Sequence, residues 1–120
     1  MKNVALKSLF LLIIISTIAH SAMAEESLKY ELFKHNVNNA WLSDPCSGYY
    51  KVIIELNEKA KTNFKILTEE NIGKRLEIIF SGKILTQAVI KTEIDSGIIQ
   101  VGKWEKKEDA NKFIDALLQN

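Results

Sequence analysis

The stretch that decides the fold runs from residue 63 to residue 90 and reads NFKILTEENIGKRLEIIFSGKILTQAVI. Phe64 and Leu67 continue an apolar helical spacing that begins at Ala60. Beyond them, apolar residues alternate along 76–80, which predicts a strand with one buried face. Ser81-Gly82 then predicts a tight hairpin turn into a second strand. The stretch therefore reads as a helix, a short turn and a β-hairpin.

The polar segment inside this stretch predicts a second, shorter helix. Thr68 has the side chain of an N-cap, and Glu69 and Glu70 follow in the first turn, where carboxylates suit the exposed amides. Gly73 is expected to end this helix in the left-handed conformation that glycine adopts most readily.

The same periodicities organise the rest of the chain. The predicted elements are strands at 28–35, 49–56, 76–80, 84–94 and 98–104, a helix that Asn57 caps, a helix at 107–118, and a loop at 36–48. The order is β-β-α-β-β-β-α. Because most links between strands are short, neighbouring strands are expected to pair antiparallel. The fold class predicted is α+β, with an antiparallel sheet of about five strands and two helices packed on one face.

The first 24 residues have the pattern of a secretory signal peptide. Lys2 and Lys7 precede an apolar run at 9–15, and Ala22-Met23-Ala24 forms a cleavage site of small residues. The run is shorter than the roughly 20 residues that span a bilayer. We predict a signal peptide at 1–24, a single domain at 25–120 with no membrane span, and a periplasmic or secreted location; a retained N-terminal anchor is the alternative.

Charge and cysteine content narrow the classes of partner. Loss of Lys2 and Lys7 with the leader lowers the formal charge by two, from +1 to −1. That balance gives no electrostatic basis for binding nucleic acid or an anionic membrane. Cys46 is the only cysteine, so it is either a free thiol or bonded to another chain.

The sequence offers little for catalysis. His35 is the one histidine beyond the leader, and it has no serine or cysteine nucleophile beside it. Glu69 and Glu70 point about 100° apart if both lie on a helix. We find no clustered metal ligands and no glycine-rich phosphate loop. The prediction is a non-enzymatic protein without metal or cofactor.

A more specific pattern occupies residues 64–78, FKILTEENIGKRLEI. It resembles the head subdomain of the first periplasmic domain of SecD-type protein-export subunits, in which a helix leads into LT-x-x-N-x-G-K-x-L-A-I. The segments 82–85, 94–102 and 107–118 are similar to that family's next turn, its I-x-G-G-x-x-x-I-x-G motif and its closing helix. The resemblance covers about Tyr50 to Leu118.

The resemblance implies the family's fold, its compartment and a link to protein export. The sequence departs from the family at Gln87-Ala88-Val89, where a proline is usual, and at Ser81, where the family has aspartate. SecD-type subunits carry this domain between membrane helices whose proton-coupled movement drives export. No such helix is expected here after cleavage, so the resemblance implies an accessory role rather than a motor.

Helices on one side of a sheet leave the opposite face open. Its residues are expected to be Lys51, Ile53, Glu55, Glu77, Ile79, Leu85, Gln87, Val89, Ile99 and Val101. A rather apolar open face or edge is typical of a surface that binds an extended polypeptide or another protein. The candidate binding residues are Ile53, Val89, Ile99, Trp41 and Trp104.

Other interpretations of this surface stay open. The loop around Trp41, or a homodimer, would cover the same face. The alternative function is an envelope inhibitor or a small-ligand carrier that uses the Trp41–Cys46 loop.

Overall fold

The computed structural model describes residues 27–119, so the leader predicted at 1–24 lies outside the described residues. Within 27–119 the chain forms six strands, two α-helices and a 3-10 turn at Lys34–Asn36. The strands are β1 (Ser27–Glu31), β2 (Val37–Leu42), β3 (Tyr50–Leu56), β4 (Arg75–Phe80), β5 (Lys83–Val89) and β6 (Ile98–Trp104), and the helices are α1 (Glu58–Glu69) and α2 (Lys107–Leu118). The α+β class is confirmed.

The strands form two three-stranded sheets, ordered β1-β4-β5 and β2-β3-β6. The prediction of one sheet of about five strands is therefore wrong. β1 pairs parallel with β4, whereas the other pairs are antiparallel. The prediction assumed that strands close in sequence pair with each other. It could not identify the pairing of β1 with β4, because no short turn connects these two strands.

The sixth strand, β2, lies inside the segment predicted as a loop at 36–48. Asn38 and Asn39 favoured a loop by composition, but the register shifts between Val37 and Asn39, and this bulge accommodates the extra residue. Ala40 is then buried, and Trp41 pairs with Ile53 of β3. Cross-strand packing and burial have overridden residue preference here.

The first predicted strand, 28–35, ends early. β1 stops at Glu31, and the backbone N–H of the buried Leu32 donates to the carbonyl of Ile79 at 2.8 Å. The 3-10 turn at 34–36 then reverses the chain into β2. This turn is fixed by Asn57, whose amide donates to the carbonyl of His35 at 2.6 Å.

Asn57 caps α1 as predicted. Its side-chain oxygen accepts from the backbone N–H of Ala60 at 2.9 Å. Ala60, Phe64 and Thr68 lie four residues apart on one stripe, and all three are buried.

Thr68 is not an N-cap, because α1 continues through it to Glu69. Its hydroxyl is buried within hydrogen-bond distance of the Phe64 carbonyl, at 3.0 Å, and accepts from the backbone N–H of Ile94 at 2.9 Å. The predicted second helix therefore does not form: Glu69 ends α1, and residues 70–73 are turns. Gly73 does adopt the predicted left-handed conformation, with φ +93°.

The fourth predicted strand, 84–94, ends at Val89. Ile90 donates to the carbonyl of Lys74 at 2.8 Å and accepts from the N–H of Gly73 at 2.7 Å. Beyond Ile90 the chain leaves the strand, and the backbone N–H of the half-buried Ile94 donates to the Thr68 hydroxyl. Because the chain leaves the strand path here, β5 and β6 do not pair.

The core is built from residues of both helices and of both sheets. Its fully buried members include Leu32, Val52, Ile54, Phe64, Val101 and Leu117. α2 has the bounds predicted for it, and its Phe113 packs edge-on against Phe80 of β4, with ring centroids 5.6 Å apart.

Candidate functional site

The two sheets meet along β5 and β6, which lie side by side without pairing. We call the gap between these strands the split. Residues 83–85 lie near 102–104 at one end, and 86–89 lie near 98–100 at the other, so the two strands run in opposite directions. At the second end, which we call the open end, the split widens into a groove of about 520 Å³.

The edge of β6 that faces the split has free backbone groups. In an antiparallel ladder, alternate residues direct both backbone groups towards the partner. The N–H of Leu56 donates to the carbonyl of Gly97 at 2.8 Å, and the register continues through Ile54 with Ile99. Ile99 therefore bonds towards β3, and the N–H and C=O of Gln100 point into the split.

The edge of β5 presents the same kind of groups. The N–H of Ile90 donates to the carbonyl of Lys74, and the register places Ala88 opposite Leu76. By the same alternation Ala88 bonds towards β4, while the backbone groups of Gln87 and Val89 point into the split. Two unpaired edges thus face each other across one groove.

The floor of the open end is apolar. Its side chains come from α1, β4, β6 and the 90–94 segment: Phe64, Leu76, Ile78, Ile90, Ile94 and Ile99. Ala88 and Thr86 lie on the inner face of β5, but their side chains are too short to fill the space, and Ala88 is exposed.

The rim of the open end is cationic. Lys51 and Lys91 are the charged residues that line the groove, and both are exposed. Glu93 lies close to Lys91 in sequence, but its carboxylate is 3.9 Å from Nζ of Lys65.

Aromatic side chains fill the other end of the split, which we call the aromatic end. The Trp104 ring stacks on Phe113 with centroids 5.0 Å apart and lies directly over Gly102. Gly102 has φ +82°, at the point where the pairing of β3 with β6 shifts register. The cleft that remains there is smaller, about 340 Å³.

The structure brings together some of the predicted site residues. Val89 and Ile99 line the same groove at the open end. Trp41 and Ile53 form a cross-strand pair on the outer face of the β2-β3-β6 sheet, and Trp41 is 40% exposed. Trp104 lies apart from both pairs, half-buried at the aromatic end.

Ile99 and Val101 were predicted to lie on the open face, but both are buried. Ile99 is only 5% exposed, because it pairs with Ile54, whose side chain points into the core. The predicted pleat of β6 was therefore shifted by one residue, and Ile98 and Gln100 face outward. Ile79 is also buried, so it leaves the open face as well.

Sequence reasoning missed the contributions of Gln100 and Lys91 to the groove. A signal was present, because Lys91-Thr92-Glu93 interrupts the apolar alternation before Ile94. That break marks the end of β5 and so the place where an edge is left free.

The remaining candidates for chemistry lie elsewhere. His35 is exposed and stacks on Phe33, with ring centroids 5.3 Å apart, beside a cleft of about 250 Å³ that also contains Tyr30. Burial raises the pKa of the Tyr30 phenol. Between Ser27 and Gln119, no three His, Cys, Asp or Glu side chains come together as metal ligands.

The Trp41–Cys46 segment is not one loop. Trp41 belongs to β2, and Cys46 is exposed in a turn closed by its backbone pairing with Tyr49. The clefts described above are lined by other residues. None of the helices in the described part of the chain is long and apolar enough to cross a bilayer.

Comparison with known proteins places the chain in a family. Residues 31–119 match the SecDF P1 head subdomain. A solved structure of SecDF, a membrane component that enhances protein export, matches with TM-score 0.65 and 25% identity. A crystal structure of SecDF in its super-membrane-facing form matches with the same score and identity.

These matches cover 71% of this chain but only 39% and 12% of the two SecDF chains. The chain therefore corresponds to a minor part of those proteins. No curated protein sequence matches significantly. Because the family match spans most of the residues, the chain belongs to the SecDF P1 head subdomain family.

Proposed function

We propose that this protein is a non-enzymatic, exported domain that binds polypeptide at the open end of the split, in support of protein export in the periplasm. The observation that carries the proposal is the groove of about 520 Å³ with an apolar floor between two unpaired strand edges. Apolar grooves of this size are typical of ligand sites. The leader predicted at 1–24 supports the compartment.

The chemistry of the groove favours a polypeptide over a reacting substrate. Its lining contains no histidine, cysteine or carboxylate, and its two charged side chains are lysines at the rim. An apolar floor with unpaired backbone at its sides suits a chain in extended conformation, which offers apolar side chains and free backbone together. The membership of a family described as part of an export component agrees with that ligand.

The outer face of the β2-β3-β6 sheet is proposed as a second contact area. Trp41 and Ile53 lie side by side there, and Ile98 is exposed on the same face near the groove. A partly exposed tryptophan beside aliphatic side chains is a frequent centre of protein interfaces. This area would extend the contact with a partner beyond the groove itself.

The experiment compares two lysine substitutions on the same strand. Val89 is 48% exposed at the open end, and Ile84 is 52% exposed at the aromatic end. Binding to a permanently unfolded polypeptide, such as reduced and carbamidomethylated lactalbumin, is measured by fluorescence anisotropy. We expect Val89→Lys to weaken binding about tenfold, because it replaces an apolar side chain that lines the open end with a charged one, and Ile84→Lys to change it less than about twofold.

Circular dichroism of both variants checks that the fold is kept. If Val89→Lys and Ile84→Lys bind as tightly as each other, the open end is not the site. If the unsubstituted protein does not bind the unfolded polypeptide at all, the proposed function is wrong.

A further inference from the structure

We infer that the segment bound at the open end adds as a β-strand between β5 and β6 and joins the two sheets through its backbone. The inference rests on the proposed function and specifies how the ligand is held and which sequences suit it. The ligand class is an extended segment with alternating apolar side chains and acidic residues at its ends.

Free backbone groups point into the split from both strands. Gln87 and Val89 on β5 and Gln100 on β6 all direct N–H and C=O groups into the split, as the ladder alternation requires. Strands within a sheet lie about 4.8 Å apart, so one inserted strand needs edges roughly 10 Å apart. The groove at the open end has a volume of about 520 Å³ against about 340 Å³ at the aromatic end, so the open end offers more room for an inserted strand.

The direction of the strands sets the geometry of the insertion. Because β5 and β6 run in opposite directions, an inserted strand is parallel to one and antiparallel to the other. Every second N–H of the ligand then faces β5, and the intervening ones face β6. Both sets of ligand amides therefore contribute to binding.

The pleat of an inserted strand decides which of its side chains meet the floor. Side chains of an inserted strand alternate between the two faces of the completed sheet. Those on the inner face reach the floor formed by Phe64, Ile94 and Ile99, which takes apolar side chains. Those on the outer face lie beside Gln87 and Gln100, where polar side chains are suited.

Two lysines at the rim of the groove favour acidic residues in the ligand. Lys51 and Lys91 line the groove, and among residues 27–119 no ion pair is formed by either of them. A bound segment that carries glutamate or aspartate at its ends supplies the missing counter-charges. Since both lysines are exposed, this preference weakens as salt rises.

The test uses a nine-residue peptide of alternating Val and Thr with glutamate at both ends, and two copies that are N-methylated at the odd or at the even amides. N-methylation removes the donor and blocks the edge, so each copy is expected to bind at least about tenfold more weakly. A copy methylated only at its first residue is the control and keeps its affinity. The inserted strand is excluded if the peptide methylated at its odd amides, or the one methylated at its even amides, binds as tightly as the unmethylated peptide.

Amide hydrogen exchange of the protein gives a second measurement on the same complex. The amides of Gln87, Val89 and Gln100 are expected to exchange at least about tenfold more slowly when the peptide is bound. Ala88 and Ile99, which already bond within their sheets, serve as internal controls. Unchanged exchange at the three free amides would overturn the inference.

A peptide with lysine in place of the terminal glutamates tests the charge assignment. It is expected to bind several-fold more weakly at low salt, and equal affinity would overturn that assignment. Failure of the inference is distinguishable from failure of the proposed function. If the parent peptide does not bind while the unfolded polypeptide binds in a Val89-dependent manner, only the inserted strand is excluded.

Discussion

The two ends of the split use the same two strands and differ in what fills the space between them. At the aromatic end, Trp104 stacks on Phe113 and covers Gly102. At the open end, the corresponding inner positions of β5 are Thr86 and Ala88, whose side chains leave a groove of about 520 Å³.

The difference shows how a groove is built into a small domain without a separate lid or loop. Large aromatic side chains fill the space between the sheets at one end, and small side chains leave it unfilled at the other. The hydrogen bond from the Ile94 N–H to the Thr68 hydroxyl adds to the separation, because it holds the chain beyond β5 against α1 and away from the strand path. The proposed function therefore places binding at the open end, whereas the aromatic packing that stabilises the fold lies at the other end.

The largest expected effect comes from the aromatic end. In Gly102→Ala, the new methyl group would overlap the Trp104 ring, and φ at this position is +82°. We expect a loss of about 3 kcal/mol in the free energy of unfolding, from backbone strain and displacement of the ring. Urea denaturation followed by tryptophan fluorescence measures this loss.

Gly82→Ala is the matched control, because Gly82 also has φ +82° but no atom lies within 4 Å of the added methyl. It should cost only the backbone strain, about 1–2 kcal/mol. Equal losses of unfolding free energy in the two variants would show that the position of the Trp104 ring does not depend on Gly102. The contrast drawn between the two ends of the split would then be wrong.

A smaller effect is expected from loss of the hydrogen bond between Ile94 and Thr68, which lies beside the open end. Thr68→Val keeps the shape of the side chain but leaves the backbone N–H of Ile94 without its acceptor. We expect a loss of about 1–2 kcal/mol in unfolding free energy, since a half-buried donor without an acceptor bears part of its desolvation cost. Thermal and urea unfolding both report this quantity.

Thr62→Val provides the reference for that substitution. Thr62 is exposed on the same helix, and its hydroxyl donates to the carbonyl of Glu58 at 3.1 Å. Its replacement should change stability by less than about 0.5 kcal/mol. A Thr68→Val protein as stable as the Thr62→Val protein would mean that the hydrogen bond between Ile94 and Thr68 contributes nothing to the path of residues 90–97.

Features set by neighbouring residues could be predicted from the sequence. The cap at Asn57, the turn at Ser81-Gly82 and the bounds of α2 all follow from local side-chain chemistry or helical periodicity, and the structure confirms them. The parallel pairing of β1 with β4 depends on residues nearly fifty positions apart, as in Ser27 with Arg75. No local pattern encodes such a pairing.

The candidate site was predicted only in part, for a related reason. Val89 was placed on an open surface because alternation along β5 is regular. Ile99 was predicted on the wrong face. Because Ile98 and Ile99 are both apolar, the sequence does not show which of the two points into the core. The split itself depends on where two strands fail to pair, which only the tertiary contacts of Ile90 and Ile94 determine.

The most direct test of the account is amide hydrogen exchange of the protein without ligand, measured residue by residue by NMR. If the split is open, Gln87 and Gln100 exchange at least about a hundredfold faster than their neighbours Ala88 and Ile99, which bond within the sheets. Protection of Gln87 and Gln100 equal to that of their neighbours would mean that β5 and β6 pair in one continuous sheet, and the groove would not exist.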